Sequence, residues 1–351
     1  MTQRHALVAG VTGLVGRRVA ERLHESGWAV TGLCRRPPAQ PLPYAVRALD
    51  LTDVADCRAK LASLGTVTHV FYTARYDHPE GERESIDVNA AMLENLVGAI
   101  EPAAPGLRHV HLVHGTKYYG HMLGPLPSLP LPEESPRARV PNFYFAHEDF
   151  IRARQAGKAW TYSTARPHTF CDGATDEPRN AALLIAVHAT LARALGQPLS
   201  YPGTDRSFHA RTQFTFVPML ARAAEWMATT PACANQSYNI VNGDAPRWSE
   251  LWPVFADFFG VMAGGPAGTK LGDYVQDKQE VWASLVRESS LEPVALASRV
   301  LWPYADYLFA PEWDIISGTS KAQRDGFAER VDSARMFVDL FERFRRDKII
   351  P

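Results

Sequence analysis

The residues of this chain whose types and spacing could do chemistry lie in three places. Gly10, Gly13 and Gly16 are spaced G-x-x-G-x-x-G where a short apolar run turns amphipathic. Glycines so placed let the backbone turn tightly and approach a ligand, and they leave helix N-terminal N–H groups free for a pyrophosphate. Arg35 and Arg36 follow Cys34 at the end of the next strand-length run, where an NAD site would carry a carboxylate for the ribose 2′-hydroxyl. Guanidinium groups there suit a 2′-phosphate, so the expected cofactor is NADP(H). Lys117 stands past a third apolar run. A lysine delivered by a buried strand tip can be desolvated and can donate to an oxyanion.

These groups need a scaffold that brings distant parts of the chain to one edge, and the pattern supplies it. His5–Ala9, Ala29–Cys34, Ala45–Leu49, Val67–Ala74, Val110–Val113 and Ala159–Ala165 read as strands, and amphipathic stretches such as Val15–Leu23 and Glu84–Ile100 read as helices between them. Strands alternating with helices predict a doubly wound parallel sheet whose carboxyl ends face the ligand. At those ends fall Thr12, Leu14 and Val15 of the first turn, then Asp50 and Leu51, then Ala74 and Arg75, then His114 and Gly115. Asp50 reads equally as a residue beside the adenine and as part of an ordinary helix start, where Thr52 or Asp53 could cap. His109, His111, His114 and His121 lack a Cys or carboxylate at ligand spacing, so no metal is expected.

Composition narrows the function. A net charge of −1 over 351 residues offers no electrostatic footprint for nucleic acid or an anionic membrane. Four scattered cysteines without C-x-x-C spacing suggest reduced thiols, and no apolar run reaches membrane-span length, so a cytoplasmic location is expected. The segment 125–141 is a proline-rich loop, and Asn180–Leu195 is an apolar helix. Trp282, Trp302, Tyr304, Tyr307, Phe309 and Trp313 gather toward the C-terminus, as core or as pocket wall. The division expected is a Rossmann core over residues 1–170, which also receives later strands, and a smaller, mainly helical region over 171–351 that covers the substrate.

Tyr144 opens a helix at Asn142-Phe-Tyr, and four residues later stands Glu148, where short-chain dehydrogenases and reductases place a lysine. The missing lysine has a counterpart in Lys117. The patterns G-T-K-x-Y-G and N-F-Y-x-x-x-E-D, with Gly10–Gly16, Cys34-Arg-Arg36, Arg166-Pro167, Tyr238–Asp244 and the terminal Lys348-Ile-Ile-Pro351, run along the whole chain. It resembles the progesterone 5β-reductase and iridoid synthase-like enzymes, an atypical branch of the short-chain dehydrogenase/reductase superfamily. That resemblance implies NADPH-dependent reduction of an activated carbon–carbon double bond in a small enone or enal, with Tyr144 and Lys117 catalytic and a homodimer possible. It also implies that Pro167, Thr169 and Phe170 lie against the nicotinamide, with Thr169 standing where an asparagine is usual, and that Tyr144 doubles as a cofactor contact. Reduction of the carbonyl itself, sugar-nucleotide epimerisation, which would need its lysine where Glu148 stands, and dinucleotide sensing without chemistry are the competing readings. On the leading one, the Lys117 cation lowers the Tyr144 phenol pKa.

Overall fold

The computed structural model describes residues 3–77, 84–177 and 179–351. Its centre is a sheet of seven strands, all paired in parallel. The first six are β1 (His5–Ala9), β2 (Ala29–Cys34), β3 (Ala45–Ala48), β4 (His69–Tyr72), β5 (His109–Val113) and β6 (Thr161–Arg166). They lie in the order 3-2-1-4-5-6, and a seventh strand, Gln236–Asn239, pairs beside β6. Strand order therefore reverses between β1 and β4, and the crevice above their carboxyl ends is where such sheets bind ligands.

Helices cover both faces, which is why the central strands are buried along nearly their whole length rather than at alternate residues. Ala6 and Val8 of β1 pack with Val19 and Leu23 of α1 (Leu14–Glu25) and with Met219 and Ala223 of the helix Val217–Thr229. Leu7 and Ala9 face the other layer, with Leu61 of α2 (Val54–Leu61) and Leu96 and Val97 of α3 (Ile86–Ala103). The helix that opens at Tyr144 is α4 (Phe143–Gln155), and its N-terminus is capped by Asn142, whose side chain accepts from the Tyr144 N–H at 3.1 Å.

A second core is built almost wholly from later residues. Helix α5 (Ala181–Ala194) is buried along nearly its whole length and meets Trp252, Phe255, Phe337 and Phe341. A helix apolar on every side can only be an interior one. The aromatic residues near the C-terminus divide: Trp282, Trp302 and Phe309 join this core, whereas Tyr307 and Trp313 line a small cavity beside His121. Between α5 and the helix Val217–Thr229 lies a short helix, Asp205–His209, capped by Thr204.

Candidate active site

The crevice at the switch point is a groove of about 370 Å³. Its floor is the first βα turn. Gly10 adopts φ +82°, and a Cβ there would stand 3.0 Å from the Ala74 backbone, so β4 can approach the turn only because the side chain is absent. Gly16 is constrained by packing instead, since a Cβ would lie 2.1 Å from the Gly10 carbonyl oxygen. Gly13 precedes α1 in an extended conformation and supplies no side-chain cap. The first-turn N–H groups of α1 are thereby left to a ligand, and the helix dipole favours an anion at that place.

Of the residues expected at the cofactor, Gly10, Thr12, Gly13, Leu14 and Val15 line this groove. So do Arg35, Asp50, Leu51, Ala74, Arg75 and Phe170, contributed by four further segments. Arg36, exposed beside Arg35, stands outside the groove lining. Both readings of Asp50 find support at different residues. Asp50 faces the groove and accepts from the Thr52 N–H and hydroxyl, while Asp53 is the residue that caps α2, accepting from Ala55 and Asp56.

His114, Gly115, Tyr144 and Pro167 form a second group, past the carboxyl ends of β5 and β6. The His114 ring stacks on Tyr144 with centroids 4.6 Å apart and 15° between planes. The Tyr144 hydroxyl stands 3.3 Å from where a Gly115 Cβ would be, so a side chain at residue 115 would crowd the phenol. The Pro167 carbonyl accepts from the Thr116 N–H at 3.0 Å. Thr169 lines the small cavity instead, with His121, His168, Tyr307 and Trp313. His168 is tied to the Thr116 hydroxyl at 2.5 Å, and Tyr307 to His121 at 3.2 Å.

Lys117 lies in a 3₁₀ turn, Thr116–Tyr119, that follows β5. Its ammonium donates to Glu84 at 2.6 Å, and Arg75 reaches the other Glu84 oxygen at 3.1 Å. The expected electrostatics need correction here. Burial pushes the Tyr144 phenol up to about 12, the cation that opposes this is Arg75 rather than Lys117, and Glu84 adds to the rise. With Lys117 paired to a carboxylate, most of its field at the phenol is cancelled.

Several residues that shape the site are not signalled by the sequence pattern. Glu84 reads there only as the start of a helix. Glu177 and Arg179 also line the groove, on a loop after β6. A Glu177 carboxylate oxygen stands 4.0 Å from the Cβ position of Gly13, at the place suited to a pyrophosphate. Burial, then Asp176 and Asp77, raise the Glu177 pKa, opposed by Arg17 and Arg179. Of the interior histidines, His109 meets Thr161 and Ser163 and His111 meets Ser163, whereas neither ring nitrogen of His114 has a hydrogen-bond partner among the described residues.

A parallel sheet in the order 3-2-1-4-5-6 with a glycine turn at its switch point, together with the relatives given below, makes this an oxidoreductase of the short-chain dehydrogenase/reductase superfamily. Solved structures agree on the fold. A partial consensus L-threonine 3-dehydrogenase superposes with a TM-score of 0.69 at 16% identity, over 98% of this chain and 99% of that one. A UDP-glucose 4-epimerase of Thermus thermophilus, complexed with NAD, gives 0.66 at 16% identity over 96% and 99%. Within that superfamily the chain belongs to the PRISE-like Rossmann-fold domain family, whose profile matches residues 48–351. It is 32% identical to a 3-oxo-Δ(4,5)-steroid 5-β-reductase of Arabidopsis thaliana, over 99% of this chain and 93% of the relative. It is 31% identical to an (S)-8-oxocitronellyl enol synthase of Catharanthus roseus, over 99% and 92%.

Proposed function

We propose that this protein uses NADPH to reduce the activated carbon–carbon double bond of small α,β-unsaturated carbonyl compounds. The observation that carries the reading is the Tyr144 hydroxyl beside Gly115, two residues before Lys117, with Arg75 of the groove wall close enough to act on the phenol. The relatives named for enone and enal chemistry point the same way. Arg35 at the rim is the residue placed to take a ribose 2′-phosphate, with the pyrophosphate over the uncapped start of α1 and the nicotinamide near Phe170.

A bound nicotinamide supplies hydride to the β-carbon of the substrate. The double-bond electrons then move to the carbonyl oxygen as an enolate, and the α-carbon takes a proton from solvent. The chain's task is to receive the charge on that oxygen. Tyr144 donates its phenolic hydrogen without giving it up, as a pKa of about 12 requires. Lys117 has three donors, so it can keep Glu84 and still point one at the oxygen. His114, flat against the phenol ring, limits where the hydroxyl can swing.

The test is product analysis with NADPH and 2-cyclohexenone. Cyclohexanone is expected. Cyclohexenol would instead support carbonyl reduction by the same two residues, and no NADPH oxidation across enals and enones would refute chemistry altogether. Tyr144→Phe should lower turnover by roughly a hundredfold or more, since one oxyanion donor is worth about 2.7–4 kcal/mol. Its affinity for NADPH should be retained.

A further inference from the structure

Glu148 occupies the helical position at which a lysine usually serves the tyrosine, and nothing in the reaction above uses it. Its side chain is only 5% exposed. A carboxylate so placed is costly unless paired and hydrogen-bonded. Here it is held from four sides. Tyr118 donates its hydroxyl to Oε2 at 2.9 Å, and Arg137 reaches the same oxygen with Nη2 at 2.6 Å and Nε at 2.9 Å. Arg152 donates to Oε1 at 3.0 Å, and the buried Arg166 guanidinium stands 3.6 Å from it.

The elements these partners belong to give the cluster its meaning. Tyr118 is the residue after Lys117 in the 3₁₀ turn, and Tyr144 is one helical turn before Glu148 on α4. Arg166 ends β6 and stacks on the Tyr118 ring, with its guanidinium carbon 3.5 Å from the centroid. Its Nη1 also bonds the Glu133 carbonyl at 2.8 Å and the Tyr119 hydroxyl at 3.1 Å. The ends of the turn are tied elsewhere, Thr116 by its N–H to the Pro167 carbonyl and by its hydroxyl to His168, and Tyr119 by its hydroxyl to Asn239 at 2.6 Å, while the Tyr118 carbonyl accepts from Ala138 between them. Lys117 itself is 43% exposed and, among the described residues, its ammonium is held by Glu84 alone, so its placement depends on the placement of the turn.

We propose that Glu148 is a positioning residue, which through the Tyr118 hydroxyl fixes the Lys117 turn against the helix that carries Tyr144. Glu148 acts from behind, by setting the separation of two groups on different elements. A buried ion cluster adds little net stability over an apolar filling of the same space, so its value lies in the geometry it imposes. The role rests on the reading of Lys117 and Tyr144 given above.

The test uses the full chain, NADPH and 2-cyclohexenone. Tyr118→Phe keeps the ring under Arg166 and removes only the hydroxyl that Glu148 holds, so it avoids the folding risk of Glu148→Gln. The expected result is a kcat lower by about tenfold, with the NADPH dissociation constant and the melting temperature unmoved. In a Lys117→Met background the same change should cost less than about twofold, because its route to the substrate is gone. A kcat within about twofold of wild type would overturn the proposal. So would parallel losses of kcat, NADPH affinity and melting temperature, which indicate a structural role alone. Lys117→Met separates the two layers of argument: if it turns over like the wild type, the reading of Lys117 falls and the positioning role with it. If it is impaired while Tyr118→Phe is not, only the positioning role falls.

Discussion

Mild acidification should unfold this protein, and its interior histidines set the size of the effect. His69, His111, His121 and His147 are all buried. Burial pushes their pKa values down to about 4, about 3, about 4 and about 4 respectively. In the unfolded chain each returns to about 6.5. As pH falls below that value the unfolded state binds protons that the native state refuses, so stability is lost progressively until the native values are reached. At about pH 5.5 each histidine costs about 1.4 kcal/mol, and the four together about 5–6 kcal/mol. An ordinary domain has roughly 5–15 kcal/mol in total, so the loss is decisive. Urea unfolding followed by circular dichroism between about pH 7.5 and pH 5.5 reads this directly, as the slope of log K against pH counts protons taken up. Near pH 5.5 the slope from these four should approach about 3.5. His111→Leu should lower that slope by about one, since Ser163 keeps its bond to His109. Glu133, Glu177 and Asp306, whose pKa values burial raises, act in the opposite sense, because the native state takes up their protons first. Uptake of fewer than about two protons would refute the argument, because the interior would then be tolerating charged imidazole.

Two predictions concern the cofactor groove. Arg35→Glu should weaken NADPH much more than NADH in fluorescence titrations, because only NADPH presents a phosphate at that rim; equal losses would show that Arg35 is not its ligand. Glu177→Gln should tighten NADPH, since a carboxylate beside the helix start repels a pyrophosphate there. The gain expected in so open a groove is about 1 kcal/mol, or about fivefold, and unchanged or weaker binding would mean that the 173–179 loop moves away without cost.

How much of this was legible beforehand depends on the range of the interaction. Gly10, Gly13 and Gly16, the apolar runs of β1 to β6 and the N-cap at Asn142 are local statements, written in consecutive residues, and the fold follows them closely. Arg35, Asp50 and Ala74 could be placed at one crevice because a parallel sheet brings every strand end to the same side, whereas Phe170 was expected there from the family resemblance alone. The pairing of Lys117 with Glu84 was not readable, nor was the passage of the opposing charge at Tyr144 to Arg75. Those outcomes depend on which long side chains reach one another across segments that are distant in sequence.

The sequence by itself therefore determined the order of strands and helices, the glycine turn, and which side of the sheet carries the chemistry, because periodicity and backbone sterics are properties of neighbours along the chain. Only the tertiary structure decided which partner each charge takes: Glu84 for Lys117, Tyr118 and three arginines for Glu148, and Glu177 standing at the start of α1. An ion's partner is fixed by distance and desolvation in three dimensions, and neither quantity is written in residue spacing.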